Sequence, residues 1–248
     1  MTYTPETLAH LSDESSRVND KYRALLSEFA SFTQTHAASY EYTFQGFMRR
    51  LGTLERCIQN VYSLYPPTRS DVPSRETCVD LAINLQSFVF NVFGCLDNLA
   101  WIWVTERHLT VKETQVGFRK DIIKRSFTDD FQTYLCSLDQ WFAYLENYRH
   151  ALAHRIPLYI APFVVAPGGD AASFSALETQ KTAAMRQRDF VKYDELDTAQ
   201  QKLGKFLPAM THSLYREDRN IVYFHGQLLA DWNTVVEIAE RFLRQSNW

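Results

Sequence analysis

From Ser74 to about His108 the chain is apolar nearly all round a helix, in a run that includes SFVFNVFGCLDNLAWIWV. A surface helix carries one apolar stripe and a polar back, whereas a helix that is apolar on most faces has to be covered on most faces. This segment is therefore expected to be the central, most buried helix. Ser74, with Glu76 or Thr77 following, reads as its N-terminal cap. Asn91, Asp97 and Asn98 interrupt the run before it reaches membrane-spanning length, so it reads as a core helix and no membrane association is expected.

The rest of the chain reads as cover for that helix. Thr4–Pro5–Glu6 opens a helix predicted to run to about Thr35, with Leu8, Leu11, Val18, Tyr22, Leu25, Leu26 and Phe29 on one face. A second, about 39–65, stops at Pro66–Pro67. A short basic helix, FRKDIIKRSF, precedes a long one that starts near Asp129 and ends before Pro157. Residues 156–175 read as a long extended connection and 176–204 as one helix charged on most faces. Residues 206–225 read as a β-hairpin around REDRN, and about 226–244 as an amphipathic helix. With 46% apolar residues and eight glycines in 248, the expectation is one all-α domain over 1–248. It is a helical bundle with its core in about 39–155 and 226–244 and a small hairpin near the C-terminus.

Four widely spaced cysteines without a CxxC pair suit reduced, buried thiols. The opening MTYTPETLAHLSDESS has neither a basic segment nor an apolar core, so a cytoplasmic location is expected. A net charge of −3 exerts no global pull on nucleic acid, and any polyanion binding requires a local basic patch.

One stretch concentrates chemistry. In ENYRHALAHRIPLYI, residues 146–160, Arg149, His150, His154 and Arg155 crowd one helix end. Cleaving RNA through its own 2′-hydroxyl requires a proton acceptor and stabilisation of the charged phosphorane. Histidine supplies the first near neutral pH, and the arginine fork the second. Four residues separate Arg149 from His154, and this pattern resembles the Rx4–6H motif of the HEPN family. The following HRIP resembles the RHxxxH-then-Pro variant of that family. The resemblance implies an all-helical, metal-independent ribonuclease without a cofactor, working as a homodimer in which two motifs face one cleft on RNA. Arg149, His150 and His154 are then the candidate catalytic residues. Arg155 and the basic segment Arg119, Lys120, Lys124 and Arg125 are candidates for holding the phosphate backbone. Ile156 stands where toxin–antitoxin members carry a tyrosine, which argues against a modification-controlled toxin. A second Arg–His spacing, Arg219 to His225 in RNIVYFH, has a β-branched and aromatic interior and reads as strand.

Other readings stay open. At about 100° per residue, Arg149 and His154 diverge by roughly 140° on one helix, so either the helix end is irregular or a second protomer completes the site. His150 and His154 share a helical face with Glu146, and His212 or His225 could complete a metal set. Structurally, Arg149 could pair with Asp97 or Glu146, His150 could satisfy a buried carbonyl, and Arg155 could cap the helix C-terminus. His212 and His225 read as strand-end residues. The alternative to a ribonuclease is a non-enzymatic scaffold that engages a protein partner through the charged helix 176–204.

Overall fold

Helix α5, Arg75–Glu106, runs through the centre of the computed structural model, with the Ser74 hydroxyl accepting the Thr77 amide at 3.2 Å as its cap. The structure describes residues 3–32, 35–160, 170–203, 206–212 and 222–245. α4 (Met48–Leu64), α8 (Asp139–His154) and α11 (Phe224–Arg244) pack against α5. Leu85, Phe88, Val92, Leu99 and Ile102 of α5 lose essentially all contact with solvent. The result is an all-α bundle with a small sheet near the C-terminus.

Several predicted helices are broken, and local hydrogen bonds say why. The N-terminal one divides into α1 (Pro5–Ser16) and α2 (Val18–Ser31) at Arg17. The Ser15 and Ser16 hydroxyls donate to the Ser12 and Asp13 carbonyls at 3.1 and 2.7 Å, and such bonds compete with the helical ladder. The helix predicted from Asp129 onward divides at Leu138 into α7 (Asp129–Ser137) and α8. There the Ser137 hydroxyl donates to the Tyr134 carbonyl at 2.6 Å. α3 (Ala37–Glu41) passes through a π-helical turn, Tyr42–Phe47, into α4. That turn contains Gly46, where a Cβ would stand 2.6 Å from the Asn98 amide nitrogen, so a bare backbone lets α5 approach. α6, Asp121–Lys124, is a single turn.

The single charged helix expected over 176–204 is instead a helical hairpin of α9 (Ala171–Gln187) and α10 (Phe190–Gln201). Arg188 takes a left-handed conformation, φ +59°, and the amides of Arg188 and Asp189 return to Met185 and Ala184, a helix stop that sequence periodicity does not register. Asp189 then caps α10 through the Lys192 amide at 3.0 Å. The two arms are joined by Lys181, which is almost fully buried, donates to Asp197 and Gln200 and lies 5.2 Å from the Tyr193 ring.

The expected hairpin forms from β2 (Ala209–Thr211) and β3 (Val222–Tyr223), with Met210 opposite Val222; its turn lies outside the described residues. The connection 156–175 contributes a third strand, β1 (Tyr159–Ile160), antiparallel to β2 with Tyr159 opposite Thr211. His225, read as a strand end, instead lies in the first turn of α11 and is fully buried. Its Nε2–H donates to the Tyr65 carbonyl at 2.7 Å while Nδ1 accepts from the Tyr3 hydroxyl at 3.0 Å. Burial pushes its pKa down to about 4.

Deeper along α11, Asp231 is buried and accepts from Trp141 Nε1 and Gln227 Nε2, each at 2.8 Å. Desolvation pushes its carboxyl up to about 7 against those two bonds. The signs are opposite for the two groups. The stability His225 contributes is complete above its ordinary 6.5 and falls as pH drops toward 4. The contribution of Asp231 is complete below its ordinary 3.8 and is lost as pH rises through about 7. Between them the two slopes oppose each other. Asp231→Asn removes the second term, so the variant gains on wild type as pH rises from 4 to 8, by on the order of 3 kcal/mol. Urea melts at the two pH values measure this, and a constant offset would contradict it.

Candidate functional site

α8 buries Phe142, Leu145, Tyr148 and Ala151 along one stripe, which fixes where the motif residues point. The helix is regular to His154 and the backbone departs only at Arg155, φ −131° and ψ −134°. An irregular helix end therefore does not bring the motif together, and Arg149 and His154 remain roughly 140° apart at about 100° per residue.

Arg149, exposed on the flank of the buried stripe, lays its guanidinium over the Phe93 ring of α5 at 5.1 Å. It lines a cavity of 330 Å³ with Asp97, Trp101, Arg119, Lys120 and Glu146. His150 and His154 are exposed on the other side of the helix, their ring centroids 6.3 Å apart, and neither lines that cavity. His150 is thus not the ligand of a buried carbonyl. Arg155 is the C-cap of α8, its amide donating to the Ala151 carbonyl at 3.0 Å, and its guanidinium folds back to donate to the Asn147 carbonyl at 3.0 Å and to its Oδ1 at 2.8 Å.

Within the basic segment, Arg119 pairs with Glu146 at 2.7 Å and stacks over Phe142 at 5.8 Å. Lys120 shares the Arg149 cavity. Lys124 lines an adjoining one with Arg119, and its ammonium is held above its ordinary range first by Cys136. Arg125, the C-cap of α6, is exposed. The segment thus delivers two cations to the cavity, with Lys124 at the adjoining one and Arg125 lining neither.

Arg149 pairs with neither acid proposed for it. Glu146 is taken by Arg119, and Asp97 lies beyond ion-pairing distance, although it feels the charge. Apolar surroundings push the Asp97 carboxyl up, while Arg149 and then Arg50 pull it back. Arg50 is the residue that sequence reasoning missed. It reaches across from α4 and donates through Nε to Asn98 Oδ1 at 3.0 Å and through Nη1 to Asn91 Oδ1 at 3.1 Å. Its signal was present as polar interruptions and a glycine in the most apolar helix, but nothing in the sequence ties them to α4.

The metal set does not assemble. His150 and His154 share a face as predicted, but His225 is enclosed by Tyr3, Tyr62 and Tyr65, and His212 packs edge-on against Tyr148 at 5.1 Å. Among the described residues, no group of three or more His, Cys, Asp or Glu side chains is placed to hold an ion. Arg219, of the second Arg–His spacing, lies outside the described residues.

Since Arg149 and Arg50 both hold the Asp97 carboxyl down against desolvation, Arg149→Gln should raise its titration midpoint. Carboxyl-detected NMR on the full chain reads this directly, and an unchanged or lowered midpoint would contradict the assigned electrostatics. Comparison of the chain with protein-family models, with curated proteins and with solved structures gives no match, so the reading of this site rests on its own chemistry.

Proposed function

We propose that the chain is a HEPN-like, metal-independent endoribonuclease that acts as a cytoplasmic homodimer. The observation that supports this most is that Arg149, His150 and His154 are all exposed and that none is consumed by an ion pair among the described residues. Arg149 lies over Phe93 and feels Asp97 at a distance, but its guanidinium and the two imidazoles are not neutralised by a carboxylate among the described residues and are available for chemistry. Their divergence around a regular helix supports a shared site, in which one protomer presents Arg149 and the other His154 across a two-fold axis.

In this reaction the 2′-oxygen attacks the adjacent phosphorus and the bond to the 5′-oxygen breaks, giving a 2′,3′-cyclic phosphate and a 5′-hydroxyl. His154 takes the 2′-hydroxyl proton, and His150, one turn earlier on the same face, gives a proton to the departing oxygen. Arg149 holds the non-bridging oxygens as charge builds on them. Arg119 and Lys120 hold a neighbouring phosphate.

A second reading, a scaffold that engages a protein partner, is favoured by the tip of the α9–α10 hairpin, where Phe190 is 60% and Val191 74% exposed. RNA cleavage that persists in chelator separates the two.

Because His154 is exposed, His154→Ala should leave the melting temperature unchanged while lowering cleavage by about 10² or more. Equal cleavage by mutant and wild type, or none by either on diverse RNAs, overturns the enzymatic reading. Light scattering should give a dimer, and a strict monomer would exclude the shared site.

A further inference from the structure

Arg50 is seated as few surface arginines are. Its guanidinium rests on the bare backbone at Gly94, where a Cβ would stand 2.4 Å from the guanidinium carbon. Two neutral amides grip it, and their orientation is set elsewhere. Asn91 donates to the Ser87 carbonyl at 2.8 Å, so its oxygen faces the arginine. Asn98 packs on Gly46. The held cation has no carboxylate at ion-pairing distance among the described residues. A tether between α4 and α5 could equally have ended on an acid; this one leaves a full positive charge, fixed in direction, with Nη2 uncommitted.

The second unpaired cation stands next to it. Arg149 lies over Phe93 and Arg50 over Gly94, consecutive residues of α5. Phe90 is one turn before this pair and Asp97 one turn after, so the four residues share one face of α5, and the Asp97 carboxyl feels both guanidinium charges. Phe90 is 43% exposed and offers an aromatic surface at the rim.

We infer that Arg50 and Arg149 together form a two-pronged subsite for a phosphodiester of single-stranded RNA, seated against the Phe90–Phe93–Gly94–Asp97 face of α5. The inference rests on the RNA reading above and names Arg50 as a substrate-binding residue. Two planar forks converge on the non-bridging oxygens. Because Arg50 is already immobilised, little side-chain freedom is lost on binding. Phe90 stacks on an adjacent base without sequence preference. Asp97 opposes the incoming charge, and binding favours its protonated form.

The test uses the full-length His154→Ala protein, so that RNA is bound without being cut, and a fluorescein-labelled single-stranded RNA of mixed sequence. Fluorescence anisotropy across a salt series gives the affinity and its salt slope. Arg50→Gln should weaken binding about tenfold and lower the slope by about 0.7, the share of one phosphate contact on a single strand. Gly94→Ala keeps every charge and improves helix propensity, but its methyl group evicts the guanidinium. It should weaken binding while the bundle stays folded, because the methyl displaces a flexible guanidinium and not backbone, which keeps the inference testable if Arg50→Gln fails to fold. Asp97→Asn should tighten binding. Parent-level affinity in both Arg50→Gln and Gly94→Ala overturns the inference, as does a parent that binds no RNA. Cleavage assays in the His154 background keep the two proposals apart. Binding that depends on Arg50 without cleavage by wild type sinks the catalytic reading alone. Undiminished affinity of Arg50→Gln alongside genuine cleavage sinks this one alone.

Discussion

Covering a 32-residue helix that is apolar on most of its circumference is the constraint from which the other features follow. Burial at about 25 cal/mol per Å² rewards each element that lies against α5, and α4, α8 and α11 do so along its length. The cover is incomplete on one face. Val79, Ile83, Phe90 and Asp97 all reach solvent there, and they recur at helical spacing along one line. The arginines of the neighbouring helices reach the Asp97 end of that line. Arg50 comes from α4 and Arg149 from α8, and both act on the Asp97 carboxyl. The site is thus a consequence of how the central helix is enclosed: the residues that finish its coat are cations.

The same helix geometry accounts for what the motif can and cannot do. α8 needs one stripe for the core, and Leu145 and Tyr148 occupy it completely. Arg149, beside that stripe, is drawn to the α5 cavity, while His150 and His154 face away. No rotation of α8 serves both groups without exposing Tyr148. One chain therefore presents two groups of opposite aspect, an arginine at the α5 cavity and an imidazole pair on open surface.

Much of this was legible in the sequence where a long period carries the signal. The central helix, its Ser74 cap, the all-α class and the C-terminal hairpin follow from patterns many residues long. What was not legible depends on single contacts. The breaks at Arg17 and Leu138 accompany serine hydroxyls that turn back onto the preceding carbonyls, and the reversal at Arg188 requires one left-handed residue. β1 is two residues long and exists because β2 offers an edge. Within the site, the shared face of the histidines and the Arg155 cap were legible from helical spacing, whereas whether Arg149 would be exposed or ion-paired was left open. Arg50 stayed hidden because Asn91, Gly94 and Asn98 share one face of α5, while nothing in the sequence says that Arg50 and Gly46 come to lie on that face.

Subunit complementation tests most directly whether Arg149 and His154 of two protomers belong to one reaction. Arg149→Ala and His154→Ala proteins are each prepared, unfolded, mixed in equal amounts and refolded, and RNA cleavage is measured in chelator. Across a two-fold axis, a mixed dimer regains one site with both residues, so the mixture should recover about a quarter of wild-type activity while each parent alone stays inactive. No recovery from a mixture in which heterodimers are shown to form would contradict the shared site.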